Sequence, residues 1–423
     1  MKRRLDALCV LVNICSLLLA AIFIFSGFTK AVDPVGGAVK LQEYLAAFGI
    51  NAIGFETVLA VCSILESSVE FMLGVNLLLG TNRKISAWGT LVIMLFMTAL
   101  TLYIALTDAV TECGCFGDAV HLSNWQTFAK NVILLAASVV VAAFPGKICK
   151  LYVGKNGWLV QAYSFVFIVI VSLYSYYYLP LIDYRPYRIG QDIKKAMEIP
   201  HDAEAPVFET TFILEKNGER KEFSLDNYPD STWKFVDSKT VVKKHGFRPE
   251  ISDFALFSSE GEDVTREVLN DKRFSFWIVM PRIENADNGV IDAIEDIYDY
   301  CRQYGYTIYG ITASDSEKAM NWCRTAGMRI KFLNADETVL KTMIRSNPGV
   351  VLVKNGIILN KWGKNELPDE EKLVAKLEKL PLAYGKSRFG LKQTLNYLML
   401  FFVPLIILIF AGKIRAKRIR KTT

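Results

Sequence analysis

Six long apolar stretches constrain the fold of this chain more than any other feature. Stretches of about 18 or more mostly apolar residues are long enough to cross the hydrocarbon core of a bilayer as α-helices. They lie at about Leu8–Phe25, Thr57–Leu79, Ile85–Leu106, Phe128–Phe144, Leu159–Leu179 and Leu395–Gly412. The remaining long segment, about 184–390, has the composition of a soluble domain. With 423 residues, 52% of them hydrophobic, the chain is too long and too uneven for one domain. We expect a multi-pass α-helical membrane bundle that carries a soluble domain.

The first apolar stretch is expected to remain in the membrane. It is long, no small-x-small cleavage site precedes a globular domain, and a second apolar stretch follows it. These features argue against a cleaved signal peptide.

Basic residues predict the orientation of the chain in the membrane. Fourteen of them flank the apolar stretches on the side of the N-terminus, and four flank them on the other side. Loops on the cytoplasmic side carry the excess of Lys and Arg. Both termini are therefore predicted to be cytoplasmic, and residues 184–390 are predicted to be extracytoplasmic.

The formal net charge of +6 says little about partners other than the bilayer. Residues 184–390 contain 31 Lys and Arg against 33 Asp and Glu, so the positive excess belongs to the membrane flanks. A basic C-terminal tail next to an apolar helix is typical of a topology anchor near anionic lipids. We expect contact with the lipid bilayer and no binding of nucleic acid.

The loop after the third apolar stretch carries two cysteines, in Cys113-Gly114-Cys115-Phe116-Gly117-Asp118. On the extracytoplasmic side, thiols can be oxidised and exchanged. Gly114 can adopt positive φ and bring its neighbours into bridging range. A disulfide between Cys113 and Cys115 would close a small ring, which stabilises a fold little and suits the bond to thiol–disulfide exchange. Three interpretations stay open: a redox pair, a local clip for the loop, and a metal half-site that also uses His121.

Two glutamates lie inside the second apolar stretch. Glu66 and Glu70 are four residues apart, so they share one face of a helix near the middle of the bilayer. Ionisable residues there are costly and usually point into the bundle. One interpretation is a proton-relay or quinone site. The other is a structural hydrogen bond to a neighbouring helix, with Lys30 or Tyr103 as the partner.

Three motifs resemble the DoxX/MauE family of membrane proteins. They are Phe25-Ser26-Gly27-Phe28-Thr29-Lys30, Glu70-Phe71-Met72-Leu73-Gly74 with Gly80, and Cys-Gly-Cys-Phe-Gly from Cys113. The resemblance covers roughly residues 1–150, and the cysteine motif is typical of the MauE branch. It implies a four-helix bundle linked to extracytoplasmic disulfide formation. The fusion to a soluble domain resembles DoxX-containing proteins of Bacteroidota, which implies a bacterial inner-membrane location with a periplasmic domain.

The soluble domain is predicted to begin with β-structure. Val207–Leu214 and Lys221–Leu225 alternate around Asn217-Gly218, which is a hairpin signal, and Trp233–Val242 adds a strand.

The chain from Asp253 onward resembles thioredoxin-like proteins. The predicted order is a strand at Phe274–Met280, a helix near Val290–Tyr304, a strand at Tyr306–Thr312, a helix near Ser316–Ala326, a strand at Arg329–Phe332, a hairpin of Val350–Val353 and Ile357–Trp362, and a last helix at Glu370–Lys379. Alternation alone indicates only an α/β domain. The position of Pro348 matches the thioredoxin fold, where the resemblance implies a cis peptide at Asn347–Pro348.

The expected thioredoxin-like domain lacks the cysteines of a catalytic thioredoxin. The aligned stretch is Met280-Pro281-Arg282-Ile283-Glu284, which contains no sulfur for thiolate chemistry at the start of the first core helix. Cys301 and Cys323 lie on successive predicted helices. We expect those helices to pack on opposite faces of the sheet, which would keep the two cysteines apart.

These observations predict five segments. They are a transmembrane bundle at 1–150, a fifth transmembrane helix at 151–182, a linker and β-rich segment at 183–252, a thioredoxin-like domain at 253–385, and a C-terminal transmembrane helix with a basic tail at 391–423.

Two hypotheses for the function remain open. In the first, Cys113 and Cys115 exchange electrons between a client protein and a quinone or a partner thiol. In the second, the chain is a non-catalytic membrane scaffold whose degenerate thioredoxin-like domain docks a partner.

Overall fold

The structure is a computed structural model that describes residues 7–50, 52, 54–110, 113–152, 157–200, 207–216, 219–224, 234–244, 247, 249–387, 389 and 391–422. Six described helices are long and apolar enough to cross a membrane, as predicted. They are α1 (Ala7–Val32), α3 (Glu56–Leu79), α4 (Arg83–Thr107), α5 (Asn124–Ala143), α6 (Gly157–Tyr177) and α12 (Leu391–Thr422, of which Leu395–Ile414 forms the apolar part).

Helices α1 and α3 pack closely because a glycine on each lies against the backbone of the other. A Cβ on Gly27 would lie 2.6 Å from the amide nitrogen of Phe71, and a Cβ on Gly74 would lie 2.7 Å from that of Ile24. Small residues at such contacts let transmembrane helices approach closely. This packing brings the C-terminal end of α1 against the glutamates of α3.

A short helix that the sequence analysis did not predict follows α1. Helix α2 (Pro34–Ala47) begins after Asp33, whose side chain accepts a hydrogen bond from the amide of Gly36 and caps the helix. Pro34 is at the first helical position, where its missing N–H is not needed. Helix α2 lies beside the loop that holds β1 (Cys115–Asp118), since a Cβ on Gly114 would lie 3.2 Å from Cγ of Lys40.

The first part of the soluble region forms the predicted antiparallel sheet. Its strands are β2 (Val207–Lys216), β3 (Glu219–Ser224) and β4 (Lys234–Lys244), in the order β3-β2-β4. The expected turn at Asn217-Gly218 lies outside the described residues.

The second part is an α/β domain with a mixed five-stranded sheet. The strands are β5 (Phe274–Met280), β6 (Thr307–Thr312), β7 (Lys331–Asn334), β8 (Gly349–Lys354) and β9 (Ile357–Gly363), in the order β7-β6-β5-β8-β9. Strands β5, β6 and β7 are parallel, whereas β8 runs antiparallel to β5 and β9 runs antiparallel to β8. Strand β5 is buried along its whole length, as a central strand with both faces covered must be. The five predicted strands and the two helices between the first three are confirmed, and the Asn347–Pro348 peptide is cis as expected. Helix α11 (Glu337–Met343), between β7 and β8, was not predicted.

Helices cover both faces of this sheet. One face carries α9 (Ile291–Tyr304) and α10 (Ser316–Thr325), and the other carries α7 (Ile193–Met197), α8 (Thr265–Asn270) and α11 (Glu337–Met343).

The expectation that Cys301 and Cys323 lie on opposite faces is wrong. Both pack in the cluster under α9 and α10, because β5, β6 and β7 follow each other in one direction across the sheet. Successive right-handed crossovers in one direction put their helices on one face. Both cysteines are free, and burial raises the pKa of each thiol.

The predicted last helix at Glu370–Lys379 is also wrong. This segment forms turns that end in a short 3-10 helix at Leu377–Lys379. Two tyrosines form hydrogen bonds with it: Tyr300 on α9 donates to the carbonyl of Ala375, and the amide of Leu377 donates to the hydroxyl of Tyr306, just before β6, at 2.9 Å. These contacts hold the segment against the sheet in place of intrahelical bonds, so its apolar spacing was misleading.

The connection from α6 is anchored in the α/β domain by buried charges. Asp183 contacts Nζ of Lys361 at 2.8 Å and Nε of Arg185 at 2.9 Å. Burial alone would raise the pKa of Asp183, but the two neighbouring cations hold it well below its ordinary value. The segment before the sheet therefore packs as part of this domain.

Candidate functional site

The two loop sulfurs lie side by side. Sγ of Cys113 and Sγ of Cys115 are 3.2 Å apart, and both cysteines are free thiols in hydrogen-bond contact. Gly114 between them has φ of +62°, a conformation that favours glycine and folds the loop so that the sulfurs meet. The geometry is that of a dithiol able to close into a disulfide after a small movement.

The environment makes the two thiols unequal. The hydrogen bond from Cys115 lowers the pKa of Cys113 to about 6 against the opposing effect of burial, with further help from Tyr44, Lys130 and Lys30. The same hydrogen bond, together with burial, raises the pKa of Cys115 well above its ordinary value. Cys113 is therefore the cysteine of the pair that forms the nucleophilic thiolate more readily.

Two residues near the sulfurs were not singled out by the sequence analysis. The hydroxyl of Tyr44 on α2 donates to the carbonyl of Cys113 and lies 3.5 Å from its sulfur. Nζ of Lys130 on α5 lies 4.3 Å from the ring centroid of Phe116, where it adds positive charge beside the pair. No local motif marks either residue, because each arrives from a different helix.

The membrane side of the loop rests on a charged cluster. Nζ of Lys30 on α1 lies 2.6 Å from Glu66 and 2.8 Å from Glu70, which confirms Lys30 as the partner of the glutamates. Oγ of Ser26 lies 2.7 Å from Oε2 of Glu70 and 2.7 Å from the carbonyl oxygen of Cys115. Tyr103, the other suggested partner, instead stacks its ring on Phe48.

A cavity of about 980 Å³ joins these groups. Its lining includes the four residues singled out from the sequence, namely Glu66, Glu70, Cys113 and Cys115. Apolar side chains that face away from the bundle also line it, among them Leu65, Val69 and Phe96. The hydroxyl of Ser63 lines the cavity as well, and it is buried without a hydrogen-bond partner in the described part of the chain.

The suggested metal half-site finds no support in this geometry. Within the described ranges, no three His, Cys, Asp or Glu side chains form a cluster that could hold a metal ion.

The soluble domain closes the cavity from outside. Glu337, Lys341 and Arg345, on α11 and the turn after it, contribute to the lining. The segment after β5, where a catalytic thioredoxin has its cysteines, lies beside a neighbouring cleft of about 640 Å³ through Pro281 and Arg282. That segment contains no sulfur, so the dithiol of this site comes from the membrane domain alone.

Comparisons with known proteins match three different parts of the chain. Residues 208–245 match a domain of unknown function (DUF8463). The comparison with curated proteins found no match. Among solved structures, the chain is similar to one titled "Solution structure of a putative protein disulfide isomerase from Bacteroides thetaiotaomicron", at 19% identity and a TM-score of 0.23, covering 28% of this chain and 78% of that one. Residues 8–144 match the family described as methylamine utilisation protein MauE. The membrane part that holds the dithiol is therefore a MauE-family domain.

Proposed function

We propose that this protein carries out thiol–disulfide exchange at the outer face of the bacterial inner membrane, with Cys113 and Cys115 as the redox pair. The observation that carries the proposal is the pair itself. The sulfurs of Cys113 and Cys115 are 3.2 Å apart, and the pKa values of the two thiols are shifted in opposite directions. A nucleophilic thiol next to a resolving thiol is the arrangement that exchange requires.

The proposed direction is oxidation of a client protein. A client thiolate attacks the Cys113–Cys115 disulfide at Cys113, which forms a mixed disulfide and releases the sulfur of Cys115. A second client thiolate attacks the client sulfur of the mixed disulfide and releases Cys113. The client gains a disulfide, and the membrane domain keeps two electrons and two protons as its dithiol. The small ring favours this direction, because a strained disulfide is the more oxidising one.

The cavity fits a lipid-soluble quinone as the electron acceptor. Its apolar wall faces the bilayer, and the unpartnered hydroxyl of Ser63 could donate a hydrogen bond to a carbonyl oxygen. A bound quinone would supply a two-electron, two-proton acceptor that restores the disulfide while it becomes a quinol.

Glu66 and Glu70 are proposed to hold a proton during this step. Two carboxylates share the single ammonium of Lys30, so the cluster carries one excess negative charge when both are ionised. Accepting one proton makes the cluster neutral. Ser26 connects Glu70 with the carbonyl of Cys115 and so places this proton next to the dithiol.

Trapping of mixed disulfides tests the proposal. A Cys115→Ser variant lacks the resolving sulfur, so Cys113 should accumulate covalent adducts with client proteins that are visible on non-reducing gels and disappear on reduction. The Cys113→Ser/Cys115→Ser double variant is the matched control and should trap nothing. Equal adducts in both variants, or none in Cys115→Ser, would contradict the exchange mechanism.

The alternative is a non-catalytic scaffold whose redox-inert soluble domain docks a partner. The absence of cysteine between Met280 and Glu284 favours it. Under this alternative, Cys113→Ser and Cys115→Ser would leave partner binding and the redox state of client proteins unchanged.

A further inference from the structure

A single buried arginine joins the soluble domain to the cysteine loop. Arg345 follows α11 in the turn before Pro348, and its side chain is 8% exposed. Its Nη2 donates to Oδ2 of Asp118 at 3.2 Å, and its Nε donates to Oδ2 of Asp33 at 3.0 Å. Asp118 is the last residue of β1, the strand that begins at Cys115.

The surroundings leave this guanidinium little freedom. Its Nη1 donates to the carbonyl of Lys341 at 2.7 Å, so all three nitrogens of the guanidinium donate hydrogen bonds. A Cβ on Gly36 would lie 2.8 Å from Nη2, which shows that the first turn of α2 packs directly against it. A planar fork can bridge two carboxylates on separate elements, whereas the ammonium of a lysine is a single point charge.

The contact fixes the loop from outside. Ser26 holds the carbonyl of Cys115 from the membrane side, and Arg345 holds Asp118 from the soluble side. Residues of α11 complete the cavity wall next to the sulfurs, and Cys113 is only 3% exposed. Residues of the soluble domain and both sulfurs thus line the same cavity.

We propose that Arg345 is a positioning residue that latches the soluble domain over Cys113 and Cys115 and so controls which molecules reach them. The inference rests on the proposed function, because it assigns the soluble domain a role as the cap of the exchange site. With the Arg345 contacts made, small reagents reach the sulfurs and bulky ones do not. A client protein gains access when the contacts to Asp118 and Asp33 open.

Alkylation of the reduced full-length protein with two maleimides of different size tests the latch. One is N-ethylmaleimide and the other a polyethylene-glycol maleimide of several kilodaltons, with labelling of Cys113 and Cys115 read by mass spectrometry. Arg345→Ala should speed labelling by the bulky reagent several-fold and labelling by the small reagent much less. Arg345→Lys should give an intermediate rate, because its ammonium is a single point charge and cannot reproduce the separate contacts of Nε with Asp33 and of Nη2 with Asp118.

Arg273→Ala is the matched control. Arg273 pairs with Asp271 inside the soluble domain, next to the opposite end of β5, so its loss should leave both labelling rates at the wild-type value. Asp118→Asn provides a second variant should Arg345→Ala fail to fold, since it weakens the latch and leaves the Asp33 pair intact. It should also speed bulky labelling.

Unchanged bulky labelling in Asp118→Asn and in a folded Arg345→Ala would overturn the latch. An equal increase for both reagents would also overturn it, since that result indicates loosening of the loop and not removal of a cap. The assay reads access to the thiols and not turnover. A failure of mixed-disulfide trapping would therefore overturn the proposed function while leaving this result in place.

Discussion

The hydroxyl of Ser26 lies 2.7 Å from the carbonyl oxygen of Cys115, and this contact connects the transmembrane helices to the cysteine loop. Ser26 lies one turn before Lys30 on α1, so one helix face carries both the support of the loop and the cation of the buried cluster. The dithiol and the intramembrane charges are thus parts of one site.

Removal of the cluster's cation should destabilise the membrane domain. Lys30→Met leaves Glu66 and Glu70 without a counter-charge, and breaking a buried ion pair costs about 3–5 kcal/mol. We expect a clear drop in the thermal unfolding temperature in detergent. Glu66→Gln keeps the Lys30–Glu70 pair and should change stability little. Equal stability of Lys30→Met and wild type would show that the cluster makes no net contribution.

Glu70→Gln should slow reoxidation of the dithiol and should lower the stability of the protein only slightly. It removes the carboxylate next to Ser26 but keeps a side chain of the same shape. The measurement is the rate at which the reduced protein, supplied with a soluble quinone, regains its Cys113–Cys115 disulfide. Glu56→Gln, in the first turn of α3, is a control that should reoxidise at the wild-type rate. An unaltered rate in Glu70→Gln would remove this residue from the proposed proton pathway.

The alkylation rate of Cys113 should depend on pH as expected for a thiol whose pKa is about 6. Because this pKa is lowered in the folded state, the thiolate is largely present at pH 7 and is lost as the pH falls through 6. The rate should fall by about tenfold from pH 7 to pH 5, whereas an ordinary thiol would lose about a hundredfold over the same range. The same peptide in denatured protein supplies the reference. A folded-state profile that keeps rising above pH 8 would contradict the assignment of Cys113 as the nucleophile.

The soluble domain should have no dithiol activity of its own. Full-length protein with Cys113→Ser and Cys115→Ser should not accelerate the reduction of insulin by dithiothreitol, because Met280–Glu284 contains no cysteine and Cys301 is buried with a raised pKa. Acceleration that disappears on a further Cys301→Ala or Cys323→Ala change would show that one of these thiols is reactive.

Reporter fusions test the predicted orientation. An alkaline phosphatase fused near Gly246 should be active, and one fused after Lys421 should be inactive, because the basic residues place the termini in the cytoplasm. Activity of the C-terminal fusion would mean that the number of spans or their direction is wrong.

Sequence alone was sufficient where the signal is local. The six spans follow from the length of each apolar stretch, and the shared face of Glu66 and Glu70 follows from helical periodicity. The sulfurs of Cys113 and Cys115 are two residues apart with glycine between them, so their contact needed little long-range information. The absence of sulfur between Met280 and Glu284 is likewise a property of the sequence.

Predictions from local sequence patterns were wrong where contacts between distant parts of the chain determine the structure. The stretch Glu370–Lys379 has helical spacing, yet it forms hydrogen bonds with Tyr300 on α9 and with Tyr306 just before β6. The helices of Cys301 and Cys323 share a face because of the strand order, which no single helix encodes.

The sequence by itself determined that this chain has six apolar stretches long enough to cross a membrane, a cysteine pair in a loop, and a soluble domain with no cysteine between Met280 and Glu284. Only the tertiary structure decided what surrounds that pair. Tyr44, Lys130 and Arg345 reach the loop from α2, α5 and the α/β domain, and Arg345 is 227 residues from Asp118 in the chain. Electrostatic and hydrogen-bond contacts depend on distance in space, and that distance is set by the packing of whole elements.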